Sequence, residues 1–284
     1  MPLTQIVQIL LVLLLVPLFG ALVTGVDRKV TARIQGRMGP PILQPIFDVL
    51  KLLGKEPIVV NRTQTIYVYL HLGFIMVGTV LLLLGQDMLM ALFIFAFGSI
   101  SLVLGGMCVR SPYSRIGSHR EIMQMLAYEP ILVILVIGIF MATGSFMAKD
   151  ITASGRPLLF SLPLIFLAFT MVAAIKLKKS PFDVSTSHHA HQELIKGITI
   201  EYAGPYLAMI EIAHWYETAV LFVIFAAFWA TNWWIGAAIA VVSFFGEILL
   251  DNLVARLTWD WMLRKMWTVG LGLAVTNLVW LYWK

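Results

Sequence analysis

The sequence predicts an all-α fold: a polytopic integral membrane bundle of about eight transmembrane helices, with one further amphipathic helix on the membrane surface. Three observations predict it. Of the 284 residues, 60% are apolar and only 12% charged, and the mean hydropathy is +0.89; soluble domains carry about 25% charged residues because water must solvate their surface. Apolar runs recur at roughly the 20-residue length that spans about 30 Å of hydrocarbon as a helix. Barrel strands would instead read as shorter alternating segments.

In chain order the spans are expected at about 3–26, 66–85, 88–109, 122–146, 158–177, 205–230, 233–250 and 263–283, so that residues 1–284 form a single membrane domain. The first span has no basic residue before Asp27 and no small-residue cleavage site, which reads as a retained helix and not a signal peptide. Between spans lie loops at 27–65, 110–121, 178–204 and 251–262. In or beside them fall all but three of the 20 Lys and Arg residues, the exceptions being Lys149, Arg156 and Lys284. The positive-inside rule makes these four loops cytoplasmic and puts both termini outside, at the plasma membrane of a prokaryote. The net charge of +5 is therefore a topology signal and no argument for nucleic-acid binding.

Composition also excludes chemistry. The single Cys108 allows neither an internal disulfide nor the four thiolates of an iron–sulfur cluster. No glycine-rich phosphate loop and no paired helical histidines of a zinc enzyme occur. Any electrons must travel in another subunit, and this chain is assigned no catalytic residue and no metal.

The first loop reads DRKVTARIQGRMGPPILQPIFDVLKLLGKEPIVVNR. Arg28, Lys29, Arg33 and Arg37 are spaced to place several cations on one side of a helical extension of the first span, which Gly39, Pro40 and Pro41 then break. Behind the break Ile42, Leu43, Ile46, Phe47, Val49, Leu50, Leu52 and Leu53 alternate with Gln44, Asp48 and Lys51, an amphipathic helix too short to span and suited to the membrane surface. Two readings stand: an anchor at anionic headgroups, or a docking surface for a soluble partner.

DRKVTARIQGRMGPP followed by LQPIFDVLKL resembles the signature of the subunit 1 or H family of NADH-quinone oxidoreductases, the membrane subunit joining the two arms of respiratory complex I. Arg120, Gln124, Met125, Tyr128 and Glu129 match that family in order and spacing. So do Pro181, Phe182, Asp183, Glu193, Leu194, Gly197, Glu201, Tyr202 and Gly204, and more weakly Arg256, Asp260, Arg264 and Trp267. The matches cover all four loops, and the family implies eight spans.

Departures narrow the resemblance. After Pro-Phe-Asp the quinone enzymes carry an acidic run, whereas this chain has Ser185, Thr186, Ser187, His188, His189, Ala190 and His191; its first loop is shortened after Gly39. Both features resemble the membrane subunit of Ech-type energy-converting nickel–iron hydrogenases. That resemblance implies hydrogenase small (iron–sulfur) and large (nickel–iron) subunits and antiporter-like membrane subunits as partners, ferredoxin as indirect electron donor, and no cofactor in this chain. The implied interface and coupling residues are Arg28, Lys29, Arg33, Arg37, Asp48, Arg120, Asp183, His188, His189, His191 and Glu193. The alternatives are the quinone-binding membrane subunit of complex I itself, a stand-alone ion transporter, for which no internal repeat is visible, and a passive anchor.

Residue physics points to ion translocation independently. Charges at membrane depth cost about 2.5–3.5 kcal/mol each on insertion scales. Glu211, His214 and Glu217 recur every third residue on the sixth span with Glu201 just ahead of it, Glu247 and Asp251 lie four apart on the seventh, and Glu129 precedes Pro130 on the fourth. Such a set can pass a proton or hold a small cation; each member can also simply pair with a basic neighbour such as Lys176, Arg256 or Arg264. Glu129, Glu201, Glu211 and Glu217 are expected to line a half-channel. For His188, His189 and His191, metal binding lacks a fourth ligand; proton entry or redox sensing, and a hydrogen-bonded interface loop, stay open. The nine tryptophans lie mostly near span ends, as interfacial anchors do.

Overall fold

The computed structural model describes residues 3–153, 155–180, 182 and 197–283. Among these the regular structure is helical, and six helices are long and apolar enough to cross a membrane: α1 (Leu3–Ile34), α3 (Arg62–Leu83), α4 (Met88–Met107), α5 (Pro112–Thr143), α9 (Pro205–Ala227) and α10 (Trp233–Leu253). A protein built this way is a multi-pass membrane protein, because only lipid can solvate the leucine, valine and phenylalanine side chains left along the outer faces of α1, α4 and α10.

Side chains set several starts. Asn61 caps α3 by accepting from the Thr63 amide, Asp87 caps α4 by accepting from Leu89 and Met90, and Asn232 caps α10 through Trp234. α1 runs unbroken through Arg28, Lys29 and Arg33, as the spacing of those cations predicts, and α2 (Gln44–Leu53) is the amphipathic helix behind the prolines. Val49 and Pro45 of α2 are buried on the bundle, while Phe47, Leu50 and Leu53 remain exposed, as a helix lying in the lipid interface requires.

Two predicted spans differ from expectation. The run 158–177 is not one helix: beyond the short α6 (Ala148–Ala153), α7 (Leu158–Ser161) and α8 (Pro163–Lys176) are separated at Leu162, because Pro163 supplies no amide to continue the ladder. The final run is helical from Trp259, not Leu263, and comprises α11 (Trp259–Lys265), a π turn (Met266–Gly270) and α12 (Leu271–Tyr282). These two features belong together. Asn277 of α12 is fully buried; its Oδ1 accepts from the amides of Leu164 and Ile165 at 2.9 and 3.0 Å, and its Nδ2 donates to the Ser161 carbonyl at 3.0 Å. One side chain thus satisfies the backbone on both sides of the break, which bare hydrocarbon would not. The fourth span also begins at Pro112 instead of Ile122, so α5 projects well beyond the hydrophobic run.

The core lies where α5, α8, α9 and α12 meet, around Tyr128, Phe169, Phe225 and Phe228. α1 packs on α9 through Gly20, where a Cβ would run into the Trp215 carbonyl, and the Tyr216 hydroxyl donates to the Leu13 carbonyl at 2.6 Å. Trp215 is therefore a core residue at 6% exposure and not an interfacial anchor. At the loop end of the bundle a 3₁₀ turn (Gly197–Thr199) presses on α5 at Gly117, and Tyr202 packs against Gly105, where burial pushes its phenol well above the ordinary range.

Candidate ion-path site

α8 ends in Lys176, the last residue of an apolar helix, and its neighbours on other helices make the site. Lys176 Nζ donates to Glu217 Oε1 of α9 at 3.4 Å and to Ser99 Oγ of α4 at 3.4 Å, and it lies 4.5 Å from the centre of the Tyr128 ring of α5. The cation is thus held by a carboxylate, a hydroxyl and an aromatic face. His214 Nδ1 stands 3.9 Å from the other Glu217 oxygen. Glu129 faces the same space, within electrostatic reach of both Lys176 and Glu217. One ammonium therefore serves two carboxylates, with both side chains of the ion pair largely buried: 14% exposed for Lys176 and 16% for Glu217.

Two cavities meet at this pair. An apolar one of about 100 Å³ runs from Lys176, Glu217 and Glu129 between Phe95, Leu135, Ile139 and Ile224 toward the ends of the helices remote from the basic loops. A smaller polar one of about 20 Å³ lies on the loop side, lined by His71, Ser99, Glu121, Lys178 and His214. That is room for about one water in the polar cavity and several in the apolar one. His71 is 3% exposed and bonds the Gly98 carbonyl at 2.8 Å through Nδ1.

A second charge cluster joins α1, α8 and α10. Lys178 adopts the left-handed region, φ 55°, and turns the chain so that Lys179 folds back under the helix end. Lys179 Nζ reaches both oxygens of Asp27, at 2.5 and 2.6 Å, and Asp251 Oδ2 at 3.4 Å; the Ser180 amide donates to Asp251 Oδ1 at 2.9 Å. Glu247, one turn before Asp251, is 2% exposed and its Oε2 has no hydrogen-bond partner among the described residues. This cluster fixes the start of the segment that leads into residues 183–196.

Of the residues singled out in the sequence, Glu129, His214 and Glu217 come together, and Glu247 and Asp251 share the Lys179 cluster. Glu201 and Glu211 are half-buried and line neither cavity. Arg28 pairs with Asp48 at 2.8 Å, tying α1 to α2, whose Gln44 also donates to Asp48 at 2.7 Å. Lys29, Arg33, Arg37 and Arg120 are exposed, with Arg37 donating to Gln35 at 3.0 Å. Asp183, His188, His189, His191 and Glu193 lie outside the described residues. No group of three or more possible metal ligands occurs among the described residues. Sequence reasoning named Lys176 only as a possible structural partner and passed over His71, Lys179 and Asp27. A lone His inside an otherwise apolar run was the available signal for His71; nothing local in the chain shows that Lys179 reaches two other helices.

Long apolar helices packed around a buried ion-pair cluster define the class: a polytopic membrane protein with ionisable groups held at the helix–helix contacts. The family model for NADH dehydrogenase matches residues 7–282, and the chain belongs to that family, the subunit 1 or H family of complex I-like NADH-quinone oxidoreductases. The H subunits of bacterial NADH-quinone oxidoreductases are similar over nearly their whole length: that of Thermomicrobium roseum is 29% identical, covering 91% of this chain and 89% of the relative, and that of Aquifex aeolicus 28%, covering 93% and 82%. A solved structure, the membrane-bound sulfane sulfur reductase, an archaeal respiratory membrane complex, contains a chain with the same fold. Its TM-score is 0.86 at 24% identity, covering 98% of this chain and 99% of that one.

Proposed function

We propose that this chain is the membrane subunit of an energy-converting complex, docking a soluble electron-transfer arm on its basic loops and coupling that arm's reaction to translocation of a proton or sodium ion. The observation that carries this reading is the Lys176–Glu217 pair, with Glu129 beside it, standing between a polar cavity on the loop side and an apolar cavity beyond. An ion pair bridging two cavities is a two-state element: while it is closed the carboxylates are neutralised, and opening it frees Glu217 to take an ion from the loop side and pass it toward Glu129. A change of charge in the docked arm would bias that opening through the loops, and the Lys179 clamp is the mechanical link, because it joins the loop segment to α1 and α10.

The arm we favour is a nickel–iron hydrogenase fed by ferredoxin, with nickel–iron and iron–sulfur centres in the partner subunits and antiporter-like subunits beside this one. The histidine-bearing loop 185–191 and the shortened first loop support it against a quinone-reducing arm. The likeness to a chain of the sulfane sulfur reductase favours a second reading, in which the same membrane subunit serves a sulfur-reducing arm. On either reading the chain crosses eight times, with α7 and α8 together and α11 through α12 as the fifth and eighth crossings.

Two measurements test the proposal. Purified complex should evolve hydrogen from reduced ferredoxin; reduction of quinone or of sulfane sulfur instead reassigns the arm and leaves the ion path in place. In sealed vesicles, Glu217→Gln and Glu129→Gln should each lower ions moved per electron by about tenfold or more. Unchanged stoichiometry in both variants removes the ion path.

A further inference from the structure

Pro130 interrupts the ladder of α5 immediately after Glu129. A proline has no amide hydrogen, so the carbonyl four residues earlier, that of Leu126, loses its ordinary donor, and in hydrocarbon an unpaired carbonyl costs several kcal/mol. A side chain from the last span replaces it: Trp267 Nε1 donates to the Leu126 oxygen at 3.2 Å. Three residues on, Gly270 comes so close to α5 that a Cβ would stand 2.8 Å from Ile131 Cδ1, so the last span straddles Pro130 with one contact before it and one after. Both residues belong to the π turn Met266–Gly270, the one departure from α-geometry in that span among the described residues. π turns insert a residue and re-aim the side chains around them. Here the insertion brings an indole N–H and a missing side chain to the same joint.

We infer that Trp267 and Gly270 form a latch on the Pro130 joint, and that Trp267 is a positioning residue for Glu129, holding it in the cavity shared with Lys176 and Glu217. This rests on the ion-path reading given above. The half of α5 that precedes Pro130 carries Tyr128, over whose ring Lys176 sits, and the half that follows carries Leu135 and Ile139 of the apolar cavity. A joint free to bend would move Glu129, together with Tyr128, relative to Leu135 and Ile139 across the shared cavity. Trp267 is half exposed, so its placement is not a demand of core packing; what the ring contributes is its N–H.

The test is a double-mutant cycle on the intact complex in sealed vesicles, reading ions moved per electron. Trp267→Phe keeps an aromatic ring and deletes the donor; it should lower the ratio about fivefold, the effect of roughly 1 kcal/mol. Pro130→Ala restores a backbone amide to the Leu126 carbonyl, so Trp267→Phe should cost nothing further in that background. Trp267→His, which retains a ring N–H, should recover part of the loss. Equal losses from Trp267→Phe with Pro130 in place and in the Pro130→Ala background, or no advantage of His over Phe, overturn the latch. A Trp267→Phe complex with lowered thermal stability and an unchanged ratio makes the contact purely structural and overturns the positioning role. Glu129→Gln and Glu217→Gln both without effect on the ratio overturn the ion path itself, which separates that failure from failure of the latch.

Discussion

Lys176 decides the chemistry of the bundle. Its ammonium, at the end of an apolar helix, is shared by Glu217 and, through space, Glu129. Removing it strands a carboxylate in a site only 16% exposed. Breaking a buried pair by deleting one partner costs about 3–5 kcal/mol, much more than the pair contributes over a neutral replacement. Lys176→Met should therefore lower the melting temperature by roughly 5–10 °C, read by thermal denaturation in detergent. The double variant Lys176→Met, Glu217→Gln should regain part of that loss, since fewer uncompensated charges remain. A double variant no more stable than the single one would mean that Lys176 acts through Tyr128 and Ser99 alone.

At the scale of elements, the breaks in the helices matter more than their lengths. α7 and α8 are held end to end by Asn277, whose amide serves two N–H groups and one carbonyl across the gap at Leu162. Asn277→Leu keeps the branched shape and the number of side-chain heavy atoms and deletes three hydrogen bonds. At about 1–3 kcal/mol for each buried group left unsatisfied, it should cost several kcal/mol and greatly reduce the yield of folded protein in membranes. Asn277→Asp, which retains the two acceptor bonds, should fall between. Fluorescence-detected size exclusion of the three proteins would rank them. How these breaks are mended was not legible: Pro163 and Pro130 are visible in the chain, but that a single asparagine mends one gap and a tryptophan the other depends on how the last span lies against α5 and α8.

For the whole molecule, the eight crossings proposed above would place both termini on the same side, opposite the basic loops. Cys108 is the only native thiol. After its replacement by Ser, single cysteines at Thr4 and Tyr282 should both react with a membrane-impermeant maleimide added to whole cells, and one at Arg37 only after lysis. Labelling of one terminus without the other would mean an odd count, with either the α7–α8 pair or the final segment failing to cross. The same architecture explains why the charged residues fall into two kinds. The cations on α1 and the first loop stand exposed where a partner can reach them, whereas Lys176 and Lys179 are occupied inside the bundle by carboxylates from other helices.

Much of this protein is determined by the sequence alone. The scarcity of charge dictates a lipid-solvated helix bundle, because hydrocarbon offers no partner for an exposed backbone; the loop motifs carry the family; and the acids near membrane depth mark Glu129 and Glu217 for attention. The tertiary structure alone decides which charges meet. Lys176 and Glu217 are 41 residues apart, and Lys179 and Asp27 are 152 apart. Whether such groups touch depends on the depth and rotation of each helix, which are set by close contacts such as Gly20 on Trp215 and Gly270 on Ile131. Helical periodicity gives the face a residue occupies on its own helix; only packing tells what that face is turned toward.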